Sequence, residues 1–399
     1  MSGPKPFEPG LRRDEPAGPL ATDSEPVLIE RIRAEIAASG PLTFARFMAI
    51  ALYDPDHGYY RVAADRPSRS GDFLTAPELH PIFGAVIGRQ VDEVWRRLER
   101  PDPFVMREYG AGSGTLAAAI LDGLRADDSG LGDVLRYEPV EINEVRRTEA
   151  VERLGPAART RRAGGPSRFT GVVLANEFLD ALPVHRVEQD GCRLRELFVA
   201  WDDAAGRLVE QPGEPSTDAL AARLDEDGVT LLDGQVGEVC LEVEPWLAGV
   251  AADLEQGLVL VIDYGHQAPA LYDPARRGGT LRAYSGQRAH ADPFIAVGRQ
   301  DLTAHVDLTA LEAAARTHEL TVLGEVSQAE LLVGCGLEEL VDRVRSNPKT
   351  SMEEWLGLRS AIARLLDPAA LGGFRAVLLG RGLDPQPPLM GLGRSQPAR

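Results

Sequence analysis

Three stretches of this 399-residue chain carry residues whose types and spacing suit chemistry. The first is Glu108-Tyr109-Gly110-Ala111-Gly112-Ser113-Gly114-Thr115. Its G-x-G-x-G spacing lets a backbone turn tightly and lets a ligand lie on the main chain. A dinucleotide fingerprint needs a further glycine where Thr115 stands, and the P-loop ending G-K-S/T is missing, so no pyrophosphate cradle is specified. A phosphate-free nucleoside such as S-adenosylmethionine suits the loop better. Glu108 could accept from the ammonium group of that cofactor. Tight turns with several glycines are nonetheless common, and the loop alone is weak.

The second stretch ends in Glu141, 27 residues after Gly114. A carboxylate at the end of the next strand can accept from both ribose hydroxyls. A solvated strand-end glutamate is the plainer alternative. The third is Val172-Val173-Leu174-Ala175-Asn176-Glu177-Phe178-Leu179-Asp180-Ala181-Leu182-Pro183. In open parallel sheets, ligands sit beyond the carboxyl ends of the strands. Asn176, Glu177 and Asp180 then project over a transferred methyl. In-line displacement from a sulfonium needs no metal and no covalent intermediate, only orientation and charge matching. The alternative for Glu177 and Asp180 is a pair of helix N-terminal acids favoured by the dipole.

Weaker candidates are Asp72 and Glu78, which could be turn and cap residues only. Asp301-Leu302-Thr303-Ala304-His305-Val306-Asp307 sets His305 between two acids and could shape a substrate pocket. No G-x-S-x-G elbow supports Ser-His-Asp hydrolysis. Cys192, Cys240 and Cys335 are scattered and odd in number, so they read as small core residues, with neither zinc nor disulfides indicated.

The elements that must position these residues follow from periodicity. Leu28, Ile29, Ile32 and Ile36 form one helical stripe, and Phe44, Phe47, Met48 and Leu52 a second. A long helix carries Ile82, Phe83, Val86, Ile87, Val91, Val94 and Trp95, with Thr75-Ala76-Pro77-Glu78 spaced as its capping box. Short strands then alternate with helices: strands over 104–109, 135–141, 172–175 and 258–262, helices over 115–124 and 144–154. Residues 321–326 and 374–379 read as two last strands. Charge-free strands separated by helices predict an α/β fold with a parallel sheet covered on both faces. The expected organisation is a disordered tail over 1–24, a helical N-terminal region over 25–100, a core over 101–382 and a disordered tail over 383–399. Segments 190–256 and 266–319 are long for connections and read as insertions that build a lid or substrate wall.

The chain has 43 basic against 61 acidic side chains, a formal charge of −18. Such a field disfavours nucleic acid and attracts a basic or guanidinium-bearing partner. No apolar run approaches the ~20 residues of a membrane span. The first 25 residues are rich in Pro, Gly and acids, unlike a secretory signal or transit peptide, so the expected home is the cytoplasm.

These residues together resemble the MidA-like methyltransferases, whose mitochondrial members are protein arginine methyltransferases that help assemble respiratory complex I. The resemblance rests on Tyr53-Asp54-Pro55-Asp56-His57-Gly58-Tyr59-Tyr60, Gly71-Asp72-Phe73 through Pro77-Glu78, the Gly110–Gly114 loop, Ala175 through Pro183, Ile262-Asp263-Tyr264-Gly265 and Asp301 through Asp307. It implies a class I, Rossmann-like methyltransferase fold with S-adenosylmethionine as cofactor. By position it places the cofactor near Glu108, Gly110, Gly112, Gly114 and Glu141, and Asn176, Glu177 and Asp72 near the reaction centre. Many relatives carry Pro and Arg where this loop has Ala111 and Ser113, which removes a rigid charged fork.

The function expected first is arginine N-methylation of a protein or peptide, the guanidinium held between Glu177, Asp180 and Asp72, with Glu78, His305 and Asp307 on the substrate side. Two alternatives stand beside it: methylation of a small molecule or peptide natural product, and a non-catalytic cofactor-binding assembly factor. The oligomeric state is left open, a homodimer included.

Overall fold

The computed structural model describes residues 23–62, 75–158, 168–285 and 288–393. Asp72, most of the expected leading tail and residues 394–399 of the expected trailing one lie outside these residues. The central sheet has six strands: β1 (Phe104–Tyr109), β2 (Leu135–Val140), β3 (Phe169–Asn176), β4 (Leu254–Asp263), β5 (Thr321–Ser327) and β6 (Arg375–Arg381). Their order is β5-β6-β4-β3-β1-β2. β1 to β4 run parallel, and β6 inserts antiparallel between β4 and β5. All carboxyl ends of the parallel strands therefore share one edge, where β1 ends in the glycine loop and β3 at Asn176.

Helices cover both faces, as apolar strands require. The chain opens with α1 (Pro26–Ser39), α2 (Phe44–Tyr53) and α3 (Ile82–Arg97). The last packs with α4 (Thr115–Ala126) and α5 (Glu144–Leu154) over Met106, Tyr137, Val172 and Leu258. The opposite face carries α6 (Val243–Asp253) and α7 (Leu308–Thr317) over Val105, Val173, Val259 and Val261. Successive strand residues alternate between these two cores, the period-two signature of a sheet buried twice.

Several expected boundaries move. The segment 190–256 divides in two: its last part is α6, the crossover to β4, and the remainder joins a smaller sheet. There, strands 185–190, 193–202, 207–213 and 236–239 form one antiparallel sheet, and 193–202 also pairs with the short N-terminal strand Leu42–Thr43. The N-terminal region and this insertion thus form one unit, with Phe44, Phe47 and Met48 packed against Val199 and Leu208. Likewise 266–319 ends in α7, a core helix. Residues 383–393 are not a loose tail. Leu389 and Leu392 are 3% and 8% exposed, and the Met390 and Gly391 amides donate to Glu93 and Gln90 of α3. Ser24, placed in the leading tail, accepts the Val297 amide at 3.0 Å.

The expected capping box does not start the long helix. Pro81 disfavours helical backbone at His80 (φ −164°, ψ 140°), so the turn Ala76–Leu79 stops and α3 begins afresh at Ile82. Of the cysteines, Cys335 is buried, Cys240 half-buried and Cys192 exposed, which corrects the reading of all three as core residues.

Candidate functional site

A cleft of about 520 Å³ lies at the carboxyl edge of the parallel strands. It is lined by the glycine loop, Glu108, Glu141, Asn176, Glu177 and Asp180, together with Glu78. One wall comes from Tyr53, Tyr59 and Tyr60, and another from Tyr264, Asp301 and Thr303.

The glycine loop earns its composition. Gly110, Gly112 and Gly114 all have φ between 51° and 75°, the left-handed region that side chains disfavour. At Gly112 a Cβ would meet nothing within 4 Å, so this main chain is bare toward the cleft. At Gly114 a Cβ would lie 3.0 Å from Ala150, so its absence lets α4 and α5 approach. Glu141 Oε2 accepts the Gly112 amide at 2.9 Å, and its Oε1 accepts the Asn143 amide at 2.8 Å. Each oxygen keeps a lone pair for a further donor. Glu108 sits buried beneath the loop and accepts the Tyr137 hydroxyl at 2.6 Å. Burial pushes its carboxyl up to about 7, against the pull of that hydroxyl.

The turn after β3 holds the other acids. Glu177 has φ 50°, a strained value for a side-chain-bearing residue. Its Oε1 accepts the Ala76 amide at 3.1 Å and the Asn176 amide group at 3.2 Å. The Ala76 donor is the one that a working Thr75 box would have left at the helix start. Burial, with Asp180 and Glu78 nearby, raises Glu177 to about 8. Asp180 accepts the Tyr264 hydroxyl, and burial raises it to about 6. Asn176 Oδ1, Glu177 Oε2, Asp180 Oδ1 and Thr303 Oγ1 are all buried without a hydrogen-bond partner among the described residues.

Not every expected residue reaches the cleft. His305 is outside its lining: the ring packs behind Tyr264 at 5.2 Å and beside His266 at 5.3 Å, and burial lowers it to about 3. Asp307 caps α7 through the Ala310 amide at 3.0 Å, and burial with Asp227 nearby raises it to about 7. The physical reason is that the chain turns after Thr303 so that Val306 and Asp307 pair with Gly265 and His266. The front of the segment, Asp301 and Thr303, faces the cleft instead. Sequence reasoning quoted Tyr53, Tyr60 and Asp263 within motifs but gave them no place in the site. Tyr53 donates to the Ala181 carbonyl at 2.6 Å, and Tyr60 to Asp301 at 2.8 Å. One signal for Asp263 was present: it follows the all-apolar run Leu258–Ile262, as Asn176 follows Val172–Ala175.

This lining suits an adenosine bearing an amino-acid tail. The bare Gly112 backbone, the spare lone pairs of Glu141 and the partnerless Asn176 Oδ1 supply a surface and acceptors, with no surplus of cations for phosphate. Among the described residues no cluster fits a metal ion.

Comparison with known proteins agrees. Residues 86–326 match a family described as "Putative S-adenosyl-L-methionine-dependent methyltransferase". A Burkholderia thailandensis protein, crystallised with S-adenosyl-homocysteine bound, superposes with a TM-score of 0.82 and 32% identity, covering 92% of this chain and 95% of that one. The mitochondrial "Protein arginine methyltransferase NDUFAF7 homolog" of Drosophila melanogaster is 28% identical over 93% of this chain and 88% of its own length. Its counterpart in Mus musculus is 28% identical over 80% of this chain and 76% of its own. The fold is the Rossmann-like one expected, and the cofactor is S-adenosylmethionine. The chain belongs to this family of S-adenosylmethionine-dependent methyltransferases.

Proposed function

We propose that the enzyme methylates arginine guanidinium groups in a protein or peptide. The observation that carries this reading is the set of partnerless buried atoms on the cleft beyond Asn176: Glu177 Oε2, Asp180 Oδ1 and Thr303 Oγ1. Two are carboxyl oxygens and the third is a hydroxyl, and unpaired buried groups of this kind are costly. A guanidinium brings five donors in a planar fork and stays protonated at neutral pH. The fly and mouse relatives bear the name protein arginine methyltransferase, which supports the same acceptor.

In this reading Glu108, Gly110, Gly112, Gly114, Glu141 and Asn176 hold the cofactor. When bound, it supplies a methyl group on an electrophilic sulfonium. Glu177 and Asp180 orient the guanidinium so that one nitrogen faces that methyl. The nitrogen gains the methyl as the S–C bond breaks, and it sheds a proton to an ionised carboxylate beside it. Glu78 joins them from the cleft wall. Asp72 belongs to the proposed set on its sequence position alone. His305 and Asp307 leave it. The N-terminal tyrosines Tyr53, Tyr59 and Tyr60 and the segment Asp301–Thr303 form the substrate wall, while no described residue of the insertion sheet lines the cleft, and the acidic balance of the chain favours a basic partner. Among the described residues no helix is long and apolar enough to cross a membrane. The named relatives are mitochondrial, and a cytoplasmic location for this chain rests on its composition alone.

The test is Glu177→Gln, with cofactor affinity and methyl transfer into a cell extract measured separately. Cofactor affinity stays within a few-fold while transfer to arginine falls by about 100-fold or more. Unchanged transfer, or label on a residue other than arginine, overturns the reading.

A further inference from the structure

The pair Asp263-Tyr264 at the end of β4 takes no part in the chemistry described so far, yet each is tied to one of the two acids. Asp263 is fully buried. Its Oδ2 accepts three consecutive amides, those of Phe178, Leu179 and Asp180, at 3.1, 2.9 and 3.2 Å. Its Oδ1 accepts the Tyr264 amide at 2.9 Å. The Glu177 amide donates to the Ile262 carbonyl at 2.8 Å, one residue before Asp263. The whole turn from 177 to 180 is therefore pinned to the end of β4. That turn contains Glu177 at φ 50°, a backbone value that persists only where surroundings over-determine it. Tyr264, the next residue, reaches back with its hydroxyl to Asp180 Oδ2 and leaves Oδ1 open to the cleft.

We infer that Asp263 and Tyr264 are positioning residues for methyl transfer: Asp263 sets the backbone that aims Glu177, and Tyr264 fixes which oxygen of Asp180 faces the acceptor. This deepens the arginine reading and rests on it. Burial and the carboxyls of Asp180 and Glu177 push Asp263 up. All four of its hydrogen bonds, however, come from N–H donors, three of them on Oδ2. These bonds pull against that upward push and hold the carboxyl in one orientation.

Asp263→Asn and Tyr264→Phe test the inference, with Glu177→Gln alongside. Labelled S-adenosylmethionine is the donor and the protein's own cell extract the acceptor pool. In Asp263→Asn the amide cannot match both donor sets, and the turn shifts. Turnover falls about 100-fold. The KM for S-adenosylmethionine and the affinity for S-adenosyl-homocysteine change by less than about threefold, since the glycine loop and Glu141 are untouched. Tyr264→Phe removes a bond that lowers Asp180, so the acid limb of its rate profile moves up by about one pH unit. That shift is one that a merely structural tyrosine does not cause. If Asp263→Asn melts below the assay temperature, Tyr264→Phe decides alone. Wild-type turnover and pH profile in the folded variants, with Glu177→Gln inactive, overturn this inference. An active Glu177→Gln overturns the arginine reading beneath it.

Discussion

Gly112 and Glu141 are hydrogen-bonded at 2.9 Å, so the loop after β1 and the acid after β2 are one preformed unit. The second oxygen of Glu141 is fixed as firmly by Asn143, whose side chain also caps α5 and donates to the Tyr60 and Arg61 carbonyls at 2.9 Å. Glu141→Gln replaces one acceptor with an amide group facing an N–H. Leaving that donor unpaired costs about 1–3 kcal/mol, a loss of about 10- to 100-fold in cofactor affinity. Isothermal calorimetry with S-adenosyl-homocysteine measures it, and unchanged affinity removes Glu141 from the cofactor site.

Gly112→Ala separates backbone strain from ligand contact. Nothing lies within 4 Å of the new Cβ, so the folded chain suffers only the left-handed φ, about 1–2 kcal/mol. The cofactor meets a methyl group where it needs bare main chain. Thermal unfolding therefore shifts by a few degrees, while cofactor affinity drops at least tenfold, a steric loss of about 1.4 kcal/mol or more. Equal affinity in the two proteins contradicts the placement of the ligand on this loop.

Acceptor binding depends on pH through Glu177. Burial raises its carboxyl to about 8, so at neutral pH the ligand-free enzyme holds a proton there. A cation needs the ionised form, so the KM for the acceptor falls as pH rises from 6 toward 8.5. Stability runs the other way. A raised folded-state pKa means the native chain binds more protons, so stability present below the ordinary carboxylate range is lost as pH rises to about 8. Melting curves of the ligand-free enzyme from pH 5 to 9 show this decline, and Glu177→Gln flattens it. A variant with the same slope as wild type assigns the decline to other groups.

Residues 383–393 carry stability rather than chemistry. Leu389 is buried in the core that includes α3 and lies away from the cleft lining. Leu389→Ala removes about 2–5 kcal/mol from the unfolding free energy by denaturant titration. Cofactor affinity of the folded fraction stays within twofold. A loss below about 0.5 kcal/mol returns this segment to the status of a loose tail.

Periodicity made the central sheet legible. Charge-free runs such as Leu258–Ile262, too short for helices, read as strands buried on both faces, and the alternating helices give the parallel order of β1 to β4 but not the antiparallel β6. That order puts Gly110–Gly114, Glu141 and Asn176 at one edge whatever the loops do. The capping box at Thr75 misled because the pattern is local, while Pro81 and the distant Glu177 decided where that amide donates. His305 and Asp307 misled for a related reason. Helix-capping by Asp307 was readable from the run that follows it, but the turn after Thr303 was not.

The sequence by itself determined the class of fold and the place of the glycine loop and of the acid one strand over, because those depend on residues close in the chain and on strand ends. Only the tertiary structure decided the substrate side. Tyr60 meets Asp301, and Asp263 captures the amides of residues 178–180, across more than 80 positions of chain. Contacts of that range leave no period or spacing behind, since each is fixed by how separate elements pack and by which buried polar groups must find a partner.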